Sequence, residues 1–231
     1  MENKVIFTDL NQIDYKAAWD FQEDLFKRSV DLKIAKRRGE TEEIPKHHLL
    51  FCEHPHVYTL GKSGSEQNLL ITEAILKQKG AQYYKINRGG DITYHGPGQL
   101  VAYPILDLDQ IFTDIHKYMR FLEEAVILTL QEFGVRAGRV DGLTGVWVDH
   151  GTALERKICA MGVKSSRWVT MHGLALNVNP DLSFFNNIVP CGIVDKPVTS
   201  LAKEINRSVS LEEVKPILKE NLAAVFDFSY H

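Results

Sequence analysis

Cysteine is scarce in this chain, three among 231 residues. So few, and an odd number, cannot form the disulfide framework of a small secreted fold. The opening residues Met1 to Val5 lack the charged-then-apolar layout of a secretory leader. The expected location is therefore a reducing cytoplasm, where each thiol serves as packing or as chemistry. No apolar run approaches 18 residues, so no membrane-spanning helix is expected. Positive charge is not in excess either. The 27 Lys and Arg are outnumbered by 30 Asp and Glu, for a net charge of −3, which gives no basic field for nucleic acid. Neither Cys-x-x-Cys nor His-Glu-x-x-His occurs among the nine histidines and three cysteines, so no metal site is expected. A Gly-x-x-x-x-Gly-Lys-Ser/Thr phosphate loop is also missing. No linker rich in Pro, Gly or Ser and no internal repeat divides the chain, and residues 1–231 are expected to form a single domain.

The chain does contain alternating apolar segments and helical stripes. Tyr15, Trp19, Phe26 and Val30 recur on one helical face, predicting a helix from Ile13 to Arg38. Its end is basic, with Lys27, Arg28, Lys33, Lys36, Arg37 and Arg38. That run reads as a solvated face at a helix C-terminus or as a docking patch for an acidic partner. Further helices are expected over Asn68–Lys79, Thr113–Phe133, Leu201–Asn206 and Leu211–Ala224. Strands are expected at Val5–Phe7, Leu49–Cys52, Val57–Leu60, Gln82–Asn87, Leu100–Ile105, Gly145–Val148, Lys157–Val163 and Arg167–Val178. The strands cluster centrally without a regular βαβ rhythm. The fold class is therefore α+β, with a central mixed, largely antiparallel sheet flanked by helices.

Four of the sixteen glycines fall in Arg88-Gly89-Gly90-Asp91-Ile92-Thr93-Tyr94-His95-Gly96-Pro97-Gly98-Gln99, interleaved with side chains able to bind a substrate. This window reads as a loop anchored to the strand that follows. Cys191 stands in a turn between Pro190 and Gly192, where a substrate carbonyl could reach its sulfur. A thiol with a pKa of about 8.5 needs a neighbouring cation to ionise. Lys157, on a strand with apolar neighbours, is the best candidate. By period two, Lys157, Cys159 and Met161 share one face. Cys159 is therefore a rival nucleophile that spacing alone leaves open, whereas Cys52 reads as core. His172, followed by Gly173 and Ala175, marks a place where something approaches the strand closely, or else a satisfied core histidine.

Taken together, the Arg88–Gln99 window, Lys157-Ile158, His172-Gly173-Leu174-Ala175-Leu176-Asn177 and Pro190-Cys191-Gly192 closely resemble the lipoyl(octanoyl) transferase family, in order and in approximate spacing. The resemblance runs from about Leu49 to Leu201. It implies the biotin/lipoate protein ligase fold. It also implies octanoyl transfer from octanoyl-acyl carrier protein to a lysine of lipoyl domains, in 2-oxo acid dehydrogenase complexes and in the glycine cleavage carrier protein. The implied nucleophile, carrying an acyl thioester, is Cys191, and the implied lysine lowering its pKa is Lys157. The implied acyl-site residues are Arg88, Gly89, Gly90, Asp91, Ile92, Thr93, Tyr94 and His95, then Ala160, Met161 and Gly162, then Gly173, Leu174 and Ala175. No cofactor, metal, nucleic acid or membrane is implied. Lys62 stands where many relatives have arginine. Two other readings remain: an ATP-dependent lipoate or biotin ligase on the same scaffold, and a non-catalytic acyl-chain or lipoyl-domain binding module.

Overall fold

Helix boundaries follow from capping. Asp14 accepts the Lys16 and Ala17 N–H groups and starts α1 (Tyr15–Arg37), which ends on Lys36 and Arg37. Asp114 starts α3 (Ile115–Glu132), and a Ser210/Glu213 capping box starts α5 (Leu211–Phe226). The computed structural model describes residues 3–189 and 197–231. Cys191 lies outside the described residues.

The main sheet has eight strands in the order β11-β1-β2-β6-β10-β9-β8-β7. They are β1 (Asn3–Gln12), β2 (His47–Glu53), β6 (Gln99–Ile105), β7 (Ala137–Val140), β8 (Leu143–Val148), β9 (Arg156–Ser166), β10 (Val169–Asn177) and β11 (Phe228–Tyr230). β1 runs parallel to β2 and β11, and the other neighbours are antiparallel. One face buries Ala18 and Phe26 of α1 against Leu50, Val101, Tyr103 and Met171. The other buries α3 and α5 through Leu122, Val126, Leu218 and Leu222. This is a single domain with a large mixed sheet between helices.

A second, three-stranded sheet, β4 (Gln82–Lys85)-β3 (Val57–Leu60)-β5 (Ile92–His95), was not expected. It has its own apolar cluster, with Tyr58, Leu60, Ile92, Tyr94, Phe185 and Ile188. The glycine-rich window is therefore loop and strand together, since β5 pairs with β3 from Ile92 to His95. The helix expected over Asn68–Lys79 is shorter, α2 (Glu73–Gln78), and begins at the Thr72 cap. Ahead of it a 3-10 turn, Glu66–Asn68, is capped by Ser65, and Leu69 forms a bridge with Ile188. β7 and β11 are additions to the expected strands. The last helices are α4 (Leu201–Glu204) and α5. Among the described residues no helix is long and apolar enough to cross a membrane.

Three of the six basic residues at the end of α1 pair with acidic groups within the chain. Arg28 pairs with Asp24 at 2.8 Å, Lys33 pairs with Asp107 and Asp109, and Arg38 lies 3.9 Å from Glu40.

Candidate active site

A cavity of about 640 Å³ runs along the β9–β10 hairpin, beneath the glycine-rich loop. Lys157, Ala160, Met161 and Gly162 line it from β9, and Gly173, Leu174 and Ala175 from β10. Arg88, Gly89, Gly90, Asp91, Ile92, Thr93 and His95 line it from the loop and β5. A few stretches distant in sequence converge to build it. Tyr94 differs from its neighbours. Its ring stacks on Phe184 and its hydroxyl bonds His56 Nδ1 at 2.8 Å, among the apolar residues of the small sheet.

The loop sits where it does because β8 stops short. β8 pairs with β9 only as far as Cys159. Beyond that point Gly89 N–H donates to the Val163 carbonyl at 2.9 Å, filling the vacated edge. Any side chain at Gly162 would meet the Gly89 carbonyl at 2.8 Å, so this contact requires glycine. Gly90 turns the loop at φ +87°. The Arg88 guanidinium, 8% exposed, is held inward by the Thr59 carbonyl at 2.8 Å and the Thr59 hydroxyl at 3.1 Å. Asp91 accepts the Ile92 N–H and the Asn68 amide, both at 2.6 Å.

Strict alternation put Lys157 on one face with Cys159 and Met161. The structure differs because Val146 pairs with Cys159 and Trp147 with Lys157, leaving Ile158 as an extra residue in a β-bulge. Ile158 and Cys159 both enter the α3/α5 core, while Lys157 shares the cavity with Ala160. The Lys157 ammonium lies 4.6 Å from the Trp147 ring centroid, a cation–π contact. Its backbone holds the chain that returns past it: Lys157 N–H donates to the Pro197 carbonyl and Thr199 N–H to the Lys157 carbonyl, both at 2.9 Å. Cys159 and Cys52 are fully buried, and burial pushes both thiols up, which suits packing rather than nucleophilic attack.

The end of the cavity distant from Lys157 is rich in rings. Tyr15, Tyr103, His95 and His172 line it. His172 was singled out in the sequence by the small residues after it. Tyr15, Ile115, Met119 and Leu143 also line the cavity. They come from separated segments, and no local motif announces them. His95 Nδ1 donates to Gln99 Oε1 at 3.1 Å, because the Gln99 amide nitrogen is committed to the Tyr94 carbonyl and to Asn177. His54 donates from Nδ1 to the Ile13 carbonyl and accepts at Nε2 from the Tyr103 hydroxyl at 2.8 Å. Burial holds His95 and His172 down to about 3, aided by the Arg88 charge, and holds His54 down to about 4.

These three imidazoles are neutral in the fold, whereas an unfolded chain protonates them near pH 6.5. The unfolded state then binds more protons, so their contribution is complete above about pH 6.5 and is lost as the pH falls toward the folded values. The urea midpoint is expected to hold level above about pH 7 and to fall steadily between about pH 6 and pH 4. A flat midpoint over that acid range would contradict neutral burial.

The comparisons with known proteins give the class of protein to which this fold and cavity belong. The lipoyl protein ligase A/B catalytic domain model matches residues 14–223. The chain belongs to this family. It is 61% identical over 226 residues to the octanoyltransferase of Cytophaga hutchinsonii, covering 96% of this chain and 93% of that protein. It is 59% identical over 228 residues to the octanoyltransferase of Flavobacterium johnsoniae, covering 98% of each. Within the family it is accordingly an acyltransferase. The bipartite lipoate protein ligase of Thermoplasma acidophilum superposes with a TM-score of 0.71 at 18% identity, over 100% of this chain and 86% of that one. A lipoate-protein ligase A bound with ATP gives 0.68 at 18% identity, over 100% and 89%. These two likenesses establish the fold.

Proposed function

We propose that this enzyme moves an octanoyl group from octanoyl-acyl carrier protein to a lysine of lipoyl domains, through a thioester on Cys191. The acceptors are the lipoyl domains of 2-oxo acid dehydrogenase complexes and the glycine cleavage carrier protein, and the reaction takes place in the cytoplasm. The observation that carries this reading is the joining of Lys157 to a long, largely apolar cavity shared with the Arg88–His95 segment, Ala160–Gly162 and Gly173–Ala175. The tether of the Cys191 segment supports it. Val189 N–H bonds the Asn68 carbonyl, and Pro197 bonds Lys157. Cys191 and Pro197 are six positions apart, a reach of about 20 Å at most.

The Cys191 thiolate attacks the carbonyl carbon of the donor thioester. The bond to the pantetheine sulfur breaks, and that sulfur takes a proton from the Lys157 ammonium. The acceptor amine then attacks the enzyme thioester and yields its proton to neutral Lys157. The Cys191 sulfur leaves as thiolate, the amide is formed, and both groups regain their starting charge. The donor is already activated, so the transfer needs no nucleotide. Burying the seven carbons beyond the carbonyl contributes about 5 to 6 kcal/mol, at ~0.8 kcal/mol each. Thr93, Ile92, Met161 and Leu174 are proposed walls for that chain.

Intact-mass analysis after incubation with octanoyl-acyl carrier protein tests the reading. The protein is expected to gain one octanoyl mass, labile to hydroxylamine, and to pass it to a lipoyl domain. An enzyme that gains no mass and acts only with free acid and ATP would sink it.

A further inference from the structure

The cavity's inner end carries hydrogen-bond acceptors that the transfer chemistry does not use. His172 is 2% exposed and adopts φ +62°, unusual for a residue with a side chain. Gln22 Oε1 accepts its N–H at 3.1 Å. Its Nε2 lies 3.2 Å from Asn87 Oδ1, while the Asn87 amide donates to Glu23 at 3.1 Å. Glu23 is in turn paired with Lys164 at 3.0 Å. This chain fixes the tautomer: Asn87 must accept, so His172 Nε2 carries the proton and Nδ1 is an acceptor. By the same logic, Gln99 leaves His95 Nε2 as an acceptor. No described protein group bonds either acceptor nitrogen, and both rings line the cavity.

We propose that His172, with His95, forms a polar end wall that sets the accepted acyl chain at about eight carbons. The proposal rests on the transfer reading above. His172 stands opposite Val163, six positions along β9 from Lys157, of which the bulge absorbs about one. At ~3.3 Å per residue, roughly 17 Å of strand separates them. A thiolate in contact with the Lys157 ammonium, its C–S bond and an extended eight-carbon chain together reach about 14 Å. An eight-carbon chain is thus of the length needed to span from Lys157 to the ring-lined end of the cavity. Two further carbons add about 2.5 Å and drive methylenes onto the acceptor nitrogens, cutting them off from any donor, which is costly. Both rings are held neutral, so the wall presents lone pairs without charge.

The test compares enzyme acylation by acyl carrier protein loaded with eight-, ten- and twelve-carbon chains, read as kcat/KM. Wild type is expected to lose at least about tenfold from eight to ten carbons, where an apolar end would gain. His172→Leu is expected to raise the ten-to-eight ratio about tenfold or more. His172→Asn, which keeps a polar group and tolerates the left-handed backbone, is expected to keep the ratio within about threefold. An unchanged ratio in His172→Leu overturns the proposal, and so does an equal rise in His172→Asn, which would make volume the determinant. Should His172→Leu fail to fold, wild type decides with 8-hydroxyoctanoyl carrier protein. The polar wall predicts a rate within about threefold of octanoyl, and a loss of about a hundredfold overturns it. Wild type that accepts eight and twelve carbons alike defeats the end wall alone. Wild type that accepts no chain of any length defeats the transfer reading itself.

Discussion

Cys191→Ser is expected to lower octanoyl transfer by about 10⁴-fold and to abolish the thioester-linked mass. A hydroxyl ionises far above the pH at which a neighbouring ammonium can stabilise a thiolate, so the substitution removes the nucleophile while changing a single atom. The companion substitution Cys159→Ser is expected still to gain the octanoyl mass. Cys159 packs in the core between the sheet and α3, and burial pushes its thiol up. A hydroxyl there destabilises the fold without touching the reacting atoms, so any loss should follow the fraction folded. Transfer to a lipoyl domain and intact mass, measured together, decide the matter. Labelling lost in Cys159→Ser but retained in Cys191→Ser would reverse the assignment.

Lys157→Ala is expected to raise the apparent pKa of Cys191 alkylation by about 1 to 3 pH units and to cut transfer by about 10²- to 10³-fold. The sign follows from charge. An ammonium beside a thiol favours the thiolate and lowers its pKa, so losing the ammonium moves the alkylation curve to higher pH. Lys157→Arg separates the two roles given to the amine. Guanidinium keeps the positive charge but does not release its proton at these pH values. That variant should keep a low thiol pKa, gain the octanoyl mass slowly and transfer it poorly. Alkylation profiles that coincide in wild type and Lys157→Ala would remove Lys157 from the role. The main chain at position 157, not the side chain, bonds Pro197 and Thr199, so either substitution leaves that ladder in place.

Much of the fold was legible because its signals are periodic. The stripe Tyr15-Trp19-Phe26-Val30 identified α1, and the apolar runs at Leu49–Cys52 and Leu100–Ile105 lie within β2 and β6. The glycine-rich window stood out by composition, and Arg88 to Thr93 together with His95 line the cavity, whereas the Tyr94 ring turns away from it. Ile158 shows what pattern reading misses. A single extra residue in one strand leaves no mark in the sequence, yet it turns Lys157 away from Cys159 and toward Ala160. β5 was hidden because four residues among glycines carry too little alternation to suggest a strand. Tyr15, Met119 and Leu143 were hidden for another reason: only the path of the whole chain brings α1, α3 and β8 to one place.

The cavity lies where the small sheet, with its separate apolar cluster, meets the β9–β10 hairpin of the large one. Among the described residues, Gly89 N–H crosses that seam to the Val163 carbonyl. Under the proposed transfer, an acyl chain lodged there would touch both layers and act as mortar between them. Substrate grip and the cohesion of the molecule would then draw on the same contacts, and acyl loading is expected to raise the melting temperature.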